Sequence, residues 1–196
     1  MKGVRAALWL GAALLAATPA SARHVNVVRV SGSINPASSD YVQQAIERSA
    51  SDGAAAVLIE LDTPGGLLSS TKDMIQAILN AEVPVIVFVS PRGAWAASAG
   101  TFITLAGHVA AMAPGTSIGA ASPVSASGEG GERDEDDKRT DVAAEKAEKF
   151  TMAFIEAIAR ERKRNVDWAV KAVREAEAIA QDEALRLGVI DVVAPD

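Results

Sequence analysis

The 196-residue chain contains no cysteine and only two histidines, His24 and His108. The absence of thiols excludes disulfide bonds, catalysis by cysteine and zinc sites built from thiolates. Two histidines are too few for a metal site made of several imidazoles. Aromatic residues make up 4% of the chain, and aliphatic residues dominate the 49% that is hydrophobic. This balance is typical of an α/β core of aliphatic strands and helices.

The chain also lacks an excess of positive charge. Its formal net charge is −6, and its basic residues are mixed with acidic ones. Binding to the phosphates of a nucleic acid requires a basic face, so we expect no nucleic-acid partner. We also expect neither a metal nor an organic cofactor.

The first 22 residues have the pattern of a secretory signal peptide. A positively charged start precedes an apolar segment over residues 6–16 and a small-residue cleavage site, Ala20-Ser-Ala22. The alternative is an uncleaved membrane anchor, but the apolar segment is shorter than the roughly 20 residues that span a bilayer. We therefore expect cleavage before Arg23 and one domain over residues 23–196. The mature domain is expected in the periplasm or on the extracytoplasmic face of a membrane.

Strands and helices alternate along the predicted mature domain. The sequence predicts strands over residues 25–30, 54–61, 83–89, 109–112 and 189–193, and helices over residues 41–50, 70–80, 98–106, 140–164, 167–175 and 182–187. Repeated strand-helix units favour an α/β fold in which right-handed crossovers build a mainly parallel sheet. Residues 125–139 are rich in glycine, serine and charge, and are predicted to form a mobile loop.

Two loops carry the residues most suited to chemistry. Ser98 lies among small residues after the third predicted strand, at the start of a helix, and Gly65 and Gly66 follow the second. A serine there has the positive helix end and backbone N–H donors nearby, which together form an oxyanion pocket. Neither loop is specific alone, but the two in this order predict one site with Ser98 as nucleophile.

A serine hydroxyl needs a base to take its proton. His108 is the first candidate, but it lies close to Ser98 in sequence, past the helix that Ser98 opens, and a lone histidine more often has a structural role. His24 is beside the predicted cleavage site. The histidines are therefore weaker candidates than a lysine.

A lysine can act as a base near pH 7 only if it is desolvated, because its ordinary pKa is about 10.4. This requirement favours Lys146, one turn before Phe150 at the edge of a predicted apolar face formed by Phe150, Phe154, Ala157 and Ile158. Lys149 lies nearer the charged side of that helix, and Lys138 belongs to the charged loop. Amphipathicity alone leaves open that Lys146 is an ordinary helix lysine, whose aliphatic chain packs on the protein surface while its ammonium group stays in water.

Four motifs carry a resemblance to a known family: Asp62-Thr-Pro-Gly-Gly66, Gly93 to Thr101, Ala113 to Ala120 and Glu183 to Asp191. With them, essentially the whole mature chain resembles the ClpP-class serine proteases of the NfeD type. These are membrane-associated proteases encoded beside stomatin-like proteins. The resemblance implies a ClpP/crotonase-like fold and a serine endopeptidase with a Ser-Lys dyad.

The dyad implied by the resemblance consists of Ser98 and Lys146, and the implied oxyanion donors are the backbone N–H groups of Gly66 and Ala99. ClpP itself uses a histidine where this chain has Pro123, which removes the ClpP triad. The implied substrate is an apolar peptide or a segment of a stomatin-like protein. We further expect a homodimer or a higher homo-oligomer, and membrane association through a partner or a missing C-terminal region.

Gly65 and the apolar residues Leu67, Leu68 and Trp95 are the candidates for substrate binding, although such residues also make ordinary contacts beneath a loop. Two other functions stay open at this point. One is a crotonase-like acyl-CoA enzyme, in which the same N–H groups would hold a thioester enolate. The other is a non-catalytic interaction domain of a membrane assembly.

Overall fold

The computed structural model describes residues 24–123 and 138–195, and the side chains of the second range from Glu145 onward. The predicted signal peptide and residues 125–137 of the predicted loop lie outside the described residues. The other end of that loop was set too far along the chain, because the helix expected from Thr140 already begins at Lys138.

Eight strands and six helices are assigned in the described ranges. In chain order they are β1 (Val25–Ser31), α1 (Pro36–Ser51), β2 (Ala56–Asp62), α2 (Leu68–Leu79), β3 (Val85–Val89), β4 (Trp95–Ala97), α3 (Ala99–Ala106), β5 (Val109–Met112), β6 (Ser117–Gly119), α4 (Lys138–Glu161), α5 (Val166–Arg174), β7 (Ala178–Ala180), α6 (Gln181–Arg186) and β8 (Val192–Val193). None of these helices combines the length and the apolar character needed to cross a bilayer.

A five-stranded parallel sheet forms the centre of the fold, in the order β1-β2-β3-β5-β8. Its strands are rich in Val, Ile and Leu, whose branched side chains suit a buried pleated surface. Ile59, Leu61 and Val87 are fully buried in one cluster with Met74 and Ile78 of α2. The predicted α/β fold with a mainly parallel sheet is confirmed.

A second, smaller sheet was not predicted. It consists of β4, β6 and β7, with β4 and β6 parallel and β6 and β7 antiparallel. Each of these strands has only three residues, too few for an alternating pattern to be recognised in a sequence. The small sheet matters for the site because Ser98 directly follows β4.

Some predicted boundaries differ from the structure for local reasons. α1 begins at Pro36 rather than Tyr41, because Asn35 is the N-cap and forms a capping box with Ser38. The last strand is only Val192–Val193, since the N–H groups of Val189 and Ile190 bond to the Ala184 carbonyl at the end of α6.

The buried face of α4 differs from the predicted one. Thr151, Ile155, Ile158 and Ala159 are buried, whereas Phe150 is 71% exposed and Ala157 is also exposed. Phe154 is partly buried. Its ring stacks on Phe102 of α3, with the ring centroids 5.9 Å apart. The predicted face was therefore rotated about the helix axis, toward the side on which Phe150 lies.

Arg164, just after α4, anchors this helix to the rest of the domain. Its guanidinium donates to the carbonyls of Leu105 at 3.1 Å and Gly107 at 3.0 Å. It also lies 2.9 Å from Asp191, and its side chain is 2% exposed. Because Phe154 contacts Phe102 and Arg164 contacts the end of α3, the two helices run in the same direction. The start of α4 therefore lies at the end of the domain where α3 begins.

Candidate active site

Ser98 occupies a strained turn between β4 and α3. Its backbone has φ 50° and ψ −114°, a conformation that L residues rarely adopt. Its N–H donates to the Gly119 carbonyl of β6 at 3.1 Å. The side chain is half-buried and does not cap α3, although Ser98 is the N-cap residue. A sharp strand-to-helix turn of this kind presents the serine hydroxyl for attack in other hydrolase folds.

Gly65 lies directly against Ser98, which brings the two predicted loops to one site. A Cβ atom at Gly65 would be 2.7 Å from Ser98 Cβ and 3.1 Å from Ser98 Oγ, and φ at Gly65 is +124°. Backbone and side-chain bonds hold the loops together: Trp95 N donates to Asp62 Oδ1 at 3.2 Å, and Thr63 N donates to the Trp95 carbonyl at 2.8 Å. Only glycine fits between these loops without displacing the serine.

Replacing Gly65 by alanine is expected to lower kcat/KM for peptide hydrolysis by about 100-fold, because the added methyl group has to displace the Ser98 side chain. The matched control is Gly53→Ala. Gly53 also has a positive φ, +73°, but a Cβ there meets nothing within 4 Å. The control should lose stability through backbone strain, about 1 kcal/mol, and keep its kcat/KM. Equal losses of activity in the two folded variants would mean that contact with Ser98 is not what requires Gly65.

Gly66 faces a different neighbour. Its Cβ would lie 2.1 Å from the Ile34 carbonyl oxygen. In the parallel bridge between Ile34 and Gly66, Ile34 N donates to Gly65 O, and Leu67 N donates to Ile34 O. The N–H of Gly66 therefore points away from Ile34. A side chain at either glycine would therefore collide with the protein itself, at Gly65 with Ser98 and at Gly66 with Ile34.

The two predicted oxyanion donors have no acceptor among the described residues. Neither the Gly66 N–H nor the Ala99 N–H bonds to a carbonyl or side chain there. Ala99 is the first residue of α3, where N–H groups have no partner within the helix and the helix dipole is positive. Within the described residues, no acceptor competes with a ligand oxygen for either N–H group.

Lys146 lies at the same end of the domain as Ser98. Counting back from the stacked Phe102 and Phe154, Ser98 is four residues away on α3 and Lys146 is eight residues away on α4. Lys146 is thus about one helical turn further from the stacked pair than Ser98 is. Its side chain is exposed on the side of α4 that carries Phe150. The expectation that Lys146 borders the buried apolar face of its own chain is therefore wrong. No hydrogen bond joins the described side chains of Lys146 and Ser98.

The competing bases are placed less favourably. Lys149 Nζ donates to Glu145 at 2.6 Å, and this hydrogen bond raises the pKa of Lys149, so that it keeps its proton. His108 follows the far end of α3, about 12 Å of helix from Ser98, and its Nδ1 accepts from Val85 N at 3.2 Å. Burial, and then the charge of Arg162, lowers the pKa of His108. The side chain of Lys138 is not among those described.

The predicted substrate-binding residues are exposed around the glycine loop. Leu67 is 55% exposed, Leu68 58% and Trp95 53%. Phe150, which was not predicted as a contact residue, is also exposed. Leu67, Leu68 and Trp95 adjoin the same glycine loop, so they form a candidate contact area.

Sequence reasoning missed the residues that hold the two loops in register. The Thr63 hydroxyl accepts from Gly65 N and donates to Gly65 O, both at 3.1 Å, and Thr63 is fully buried. Gly119 accepts from Ser98 and lies against Glu177, whose carbonyl oxygen would be 2.2 Å from a Cβ at Gly119. Both residues lie within motifs quoted above, but no pattern in the sequence indicates these contacts.

The parallel sheet, the small second sheet and the serine turn between β4 and α3 define an α/β protein of the ClpP-like class. The sequence model described as NfeD1b, N-terminal domain, matches residues 24–186. The chain belongs to this family.

Two curated relatives support this assignment. The chain is 39% identical over 181 residues to the membrane-bound protease PH1510 of Pyrococcus horikoshii, and the match covers 92% of this chain. It is 30% identical over 176 residues to the membrane protein NfeD1b of Bacillus subtilis, a match that covers 87% of this chain. The matches span 40% and 37% of these relatives, so both are much longer than the part that is shared.

Solved structures of the protease called 1510-N share the fold. A serine-to-alanine mutant of this membrane-bound stomatin-specific protease superimposes with a TM-score of 0.80 at 37% identity, covering 89% of this chain and 81% of that one. A lysine-to-alanine mutant in complex with a substrate peptide gives a TM-score of 0.79 at 37% identity, covering 89% and 76%.

Proposed function

We propose that this chain is a serine endopeptidase domain that cleaves apolar peptide segments with a Ser-Lys dyad. Ser98 is the nucleophile, Lys146 is the general base, and the N–H groups of Gly66 and Ala99 bind the oxyanion. The observation that carries the proposal is the strained Ser98 turn, whose hydroxyl lies against Gly65 and is not used to cap α3.

The reaction follows from these positions. Ser98 Oγ attacks the scissile carbonyl carbon while neutral Lys146 Nζ accepts the hydroxyl proton, and the negative charge on the carbonyl oxygen is held by the two N–H groups. When the C–N bond breaks, Lys146 returns the proton to the leaving amine, which leaves an acyl-enzyme. A water molecule, deprotonated by the same lysine, then hydrolyses the ester and regenerates Ser98.

Because Lys146 is exposed, a substrate or a partner has to exclude water from it. A lysine surrounded by water keeps its proton at neutral pH, so the base works only when it is desolvated. Phe150 and Lys146 are one turn apart on the same exposed side of α4. An apolar substrate segment or a second copy of the chain that covers Phe150 also removes water from Lys146.

The choice of substrate rests on the exposed apolar residues and on the relatives. Leu67, Leu68 and Trp95 suit an apolar segment better than a charged one. The 1510-N relatives are described as specific for a stomatin, and we propose a stomatin-like membrane protein as the partner here. The curated relatives are described as a membrane-bound protease and a membrane protein. Accordingly, we propose an exported, membrane-associated domain that forms a homodimer or a higher oligomer.

A protease among the relatives favours a peptidase over the acyl-CoA alternative. The test is hydrolysis of an internally quenched peptide of Val, Leu and Ala residues by the full chain. The kcat/KM value should rise with pH from neutral into mildly alkaline solution, because a lysine base must lose its proton before it can activate the serine. EDTA should leave the rate unchanged.

The histidine control separates the two possible bases. Since burial lowers the pKa of His108, a His108 base would put the acidic limb of the pH profile of kcat/KM below the ordinary range of a histidine, and His108→Ala would abolish activity. The proposal predicts that His108→Ala keeps both the limb and the rate. A loss of either in a folded His108 variant would replace the lysine mechanism by a histidine one.

A further inference from the structure

Thr101, in the first turn of α3, is buried between the helix and the small sheet. It is fully buried, and its Oγ1 lies 2.9 Å from the carbonyl oxygens of both Ala96 and Gly119. The same oxygen accepts from the Gly119 N–H at 3.1 Å. One hydroxyl thus connects the first turn of α3 to β4 and to β6.

These contacts surround the Ser98 backbone on both sides. The Gly119 carbonyl that Thr101 touches also accepts from the Ser98 N–H at 3.1 Å. The Ala96 carbonyl lies two residues before Ser98, and the Thr101 N–H bonds to the Ser98 carbonyl at 3.0 Å. The peptide groups that determine φ and ψ of Ser98 are therefore fixed by one network that includes the Thr101 hydroxyl.

A strained residue keeps its conformation only where its surroundings hold it there. Ser98 has φ 50°, and a less strained conformation becomes accessible if the network loosens. In it, as at an ordinary N-cap, the serine takes extended backbone angles and its hydroxyl bonds to the helix N–H groups. In that capping conformation the hydroxyl is aimed at its own helix, not at a substrate.

We propose that Thr101 is a positioning residue, whose hydroxyl holds Ser98 in the strained conformation that keeps Oγ free to attack. Thr101 touches neither substrate nor reacting atoms and acts only through Ser98. This inference rests on the proposed endopeptidase function and identifies what holds its nucleophile in place.

Helix α3 supplies a matched control one turn further on. Thr104 is also fully buried, but its hydroxyl has no hydrogen-bond partner among the described residues. Thr104→Val therefore removes a buried hydroxyl of the same type from the same helix without touching the Ser98 network. Its kcat should match that of the wild type, and its stability should be equal or higher.

The experiment measures kcat and KM on the quenched apolar peptide for Thr101→Val, Thr101→Ser and Thr104→Val. Thr101→Val should lower kcat by about 10- to 100-fold and leave KM within about twofold, since the peptide-binding surface is unchanged. Thr101→Ser retains the hydroxyl and should restore kcat to within about threefold of the wild type. If Thr101→Val does not fold, Thr101→Ala and Thr101→Ser form the decisive pair, because both are smaller than threonine.

Three results overturn the inference. They are a folded Thr101→Val with wild-type kcat, equal losses in the valine and serine variants, and an equal loss in Thr104→Val. A wild-type rate no higher than that of Ser98→Ala is a different failure, because it removes the proposed function and this inference with it. The comparison of wild type with Ser98→Ala therefore separates the two failures.

Discussion

Ser98→Ala is expected to reduce kcat for peptide hydrolysis by about a million-fold, to the background rate, while the protein remains folded. The substitution removes the attacking oxygen and nothing else that the structure uses, because Ser98 Oγ does not cap α3. The free energy of unfolding should change by no more than about 1 kcal/mol. The measurement compares turnover of the quenched apolar peptide with the thermal unfolding curve of the same sample.

Two outcomes decide this prediction. Turnover that persists in a folded Ser98→Ala variant would remove Ser98 as the nucleophile. Loss of turnover together with unfolding would not support the assignment, and Ser98→Gly, which also removes the hydroxyl but adopts a positive φ without strain, then provides the comparison. A non-catalytic interaction domain would show no turnover in the wild type either, which distinguishes that alternative from an enzyme.

Lys146→Ala is expected to have the second-largest effect, a loss in kcat of at least about ten-thousand-fold. Without the base, the Ser98 hydroxyl has no group to receive its proton. Because the members of a dyad act as a unit, removing either one removes most of the rate of the enzyme. The side chain is exposed, so the substitution should not change the stability of the chain measurably.

Lys149→Ala is the matched control, since Lys149 lies on the same helix and is also exposed. It is paired with Glu145, and the raised pKa of Lys149 makes it unsuitable as a base. The variant should keep wild-type kcat. An inactive Lys149→Ala or Lys138→Ala beside an active Lys146→Ala would show that the wrong lysine was chosen.

The repeat of strands and helices was predictable because it follows from the aliphatic runs and their spacing. Apolar runs such as Val85–Val89 predict buried strands, and the helices between them predict a parallel sheet. The small sheet was not predictable, because Trp95–Ala97 is held in place by Ser117–Gly119 and Thr63, which are distant in sequence. Its pairing is a tertiary effect that no local pattern encodes.

The site was predictable in part. Small residues after a strand and paired glycines after its neighbour were enough to bring Ser98 and Gly65 together, as the structure does. The rotation of α4 was not predictable, because Phe150 is as apolar as Phe154 and the stacking of Phe154 on Phe102 is a tertiary contact that the local sequence does not encode. This rotation changes the environment of Lys146 from partly buried to exposed.

The anchoring of α4 by Arg164 was not predictable from the sequence either. A sequence gives no reason to bury Arg164, since arginine is ordinarily a surface residue. In the structure its donors satisfy carbonyls at the end of α3 that have no partner within that helix. These bonds set the direction of α4 beside α3, and hence the end of the domain at which Lys146 lies.

Reaction of the full chain with a fluorophosphonate, followed by peptide mapping in a mass spectrometer, tests the central claim most directly. Such a probe forms a stable covalent bond only with a serine that is activated as a nucleophile. The account predicts one adduct per chain, on Ser98, with a labelling rate that falls in Lys146→Ala and not in Lys149→Ala. An adduct on another serine with Ser98 unmodified, or no adduct in a chain that hydrolyses the peptide, would contradict it.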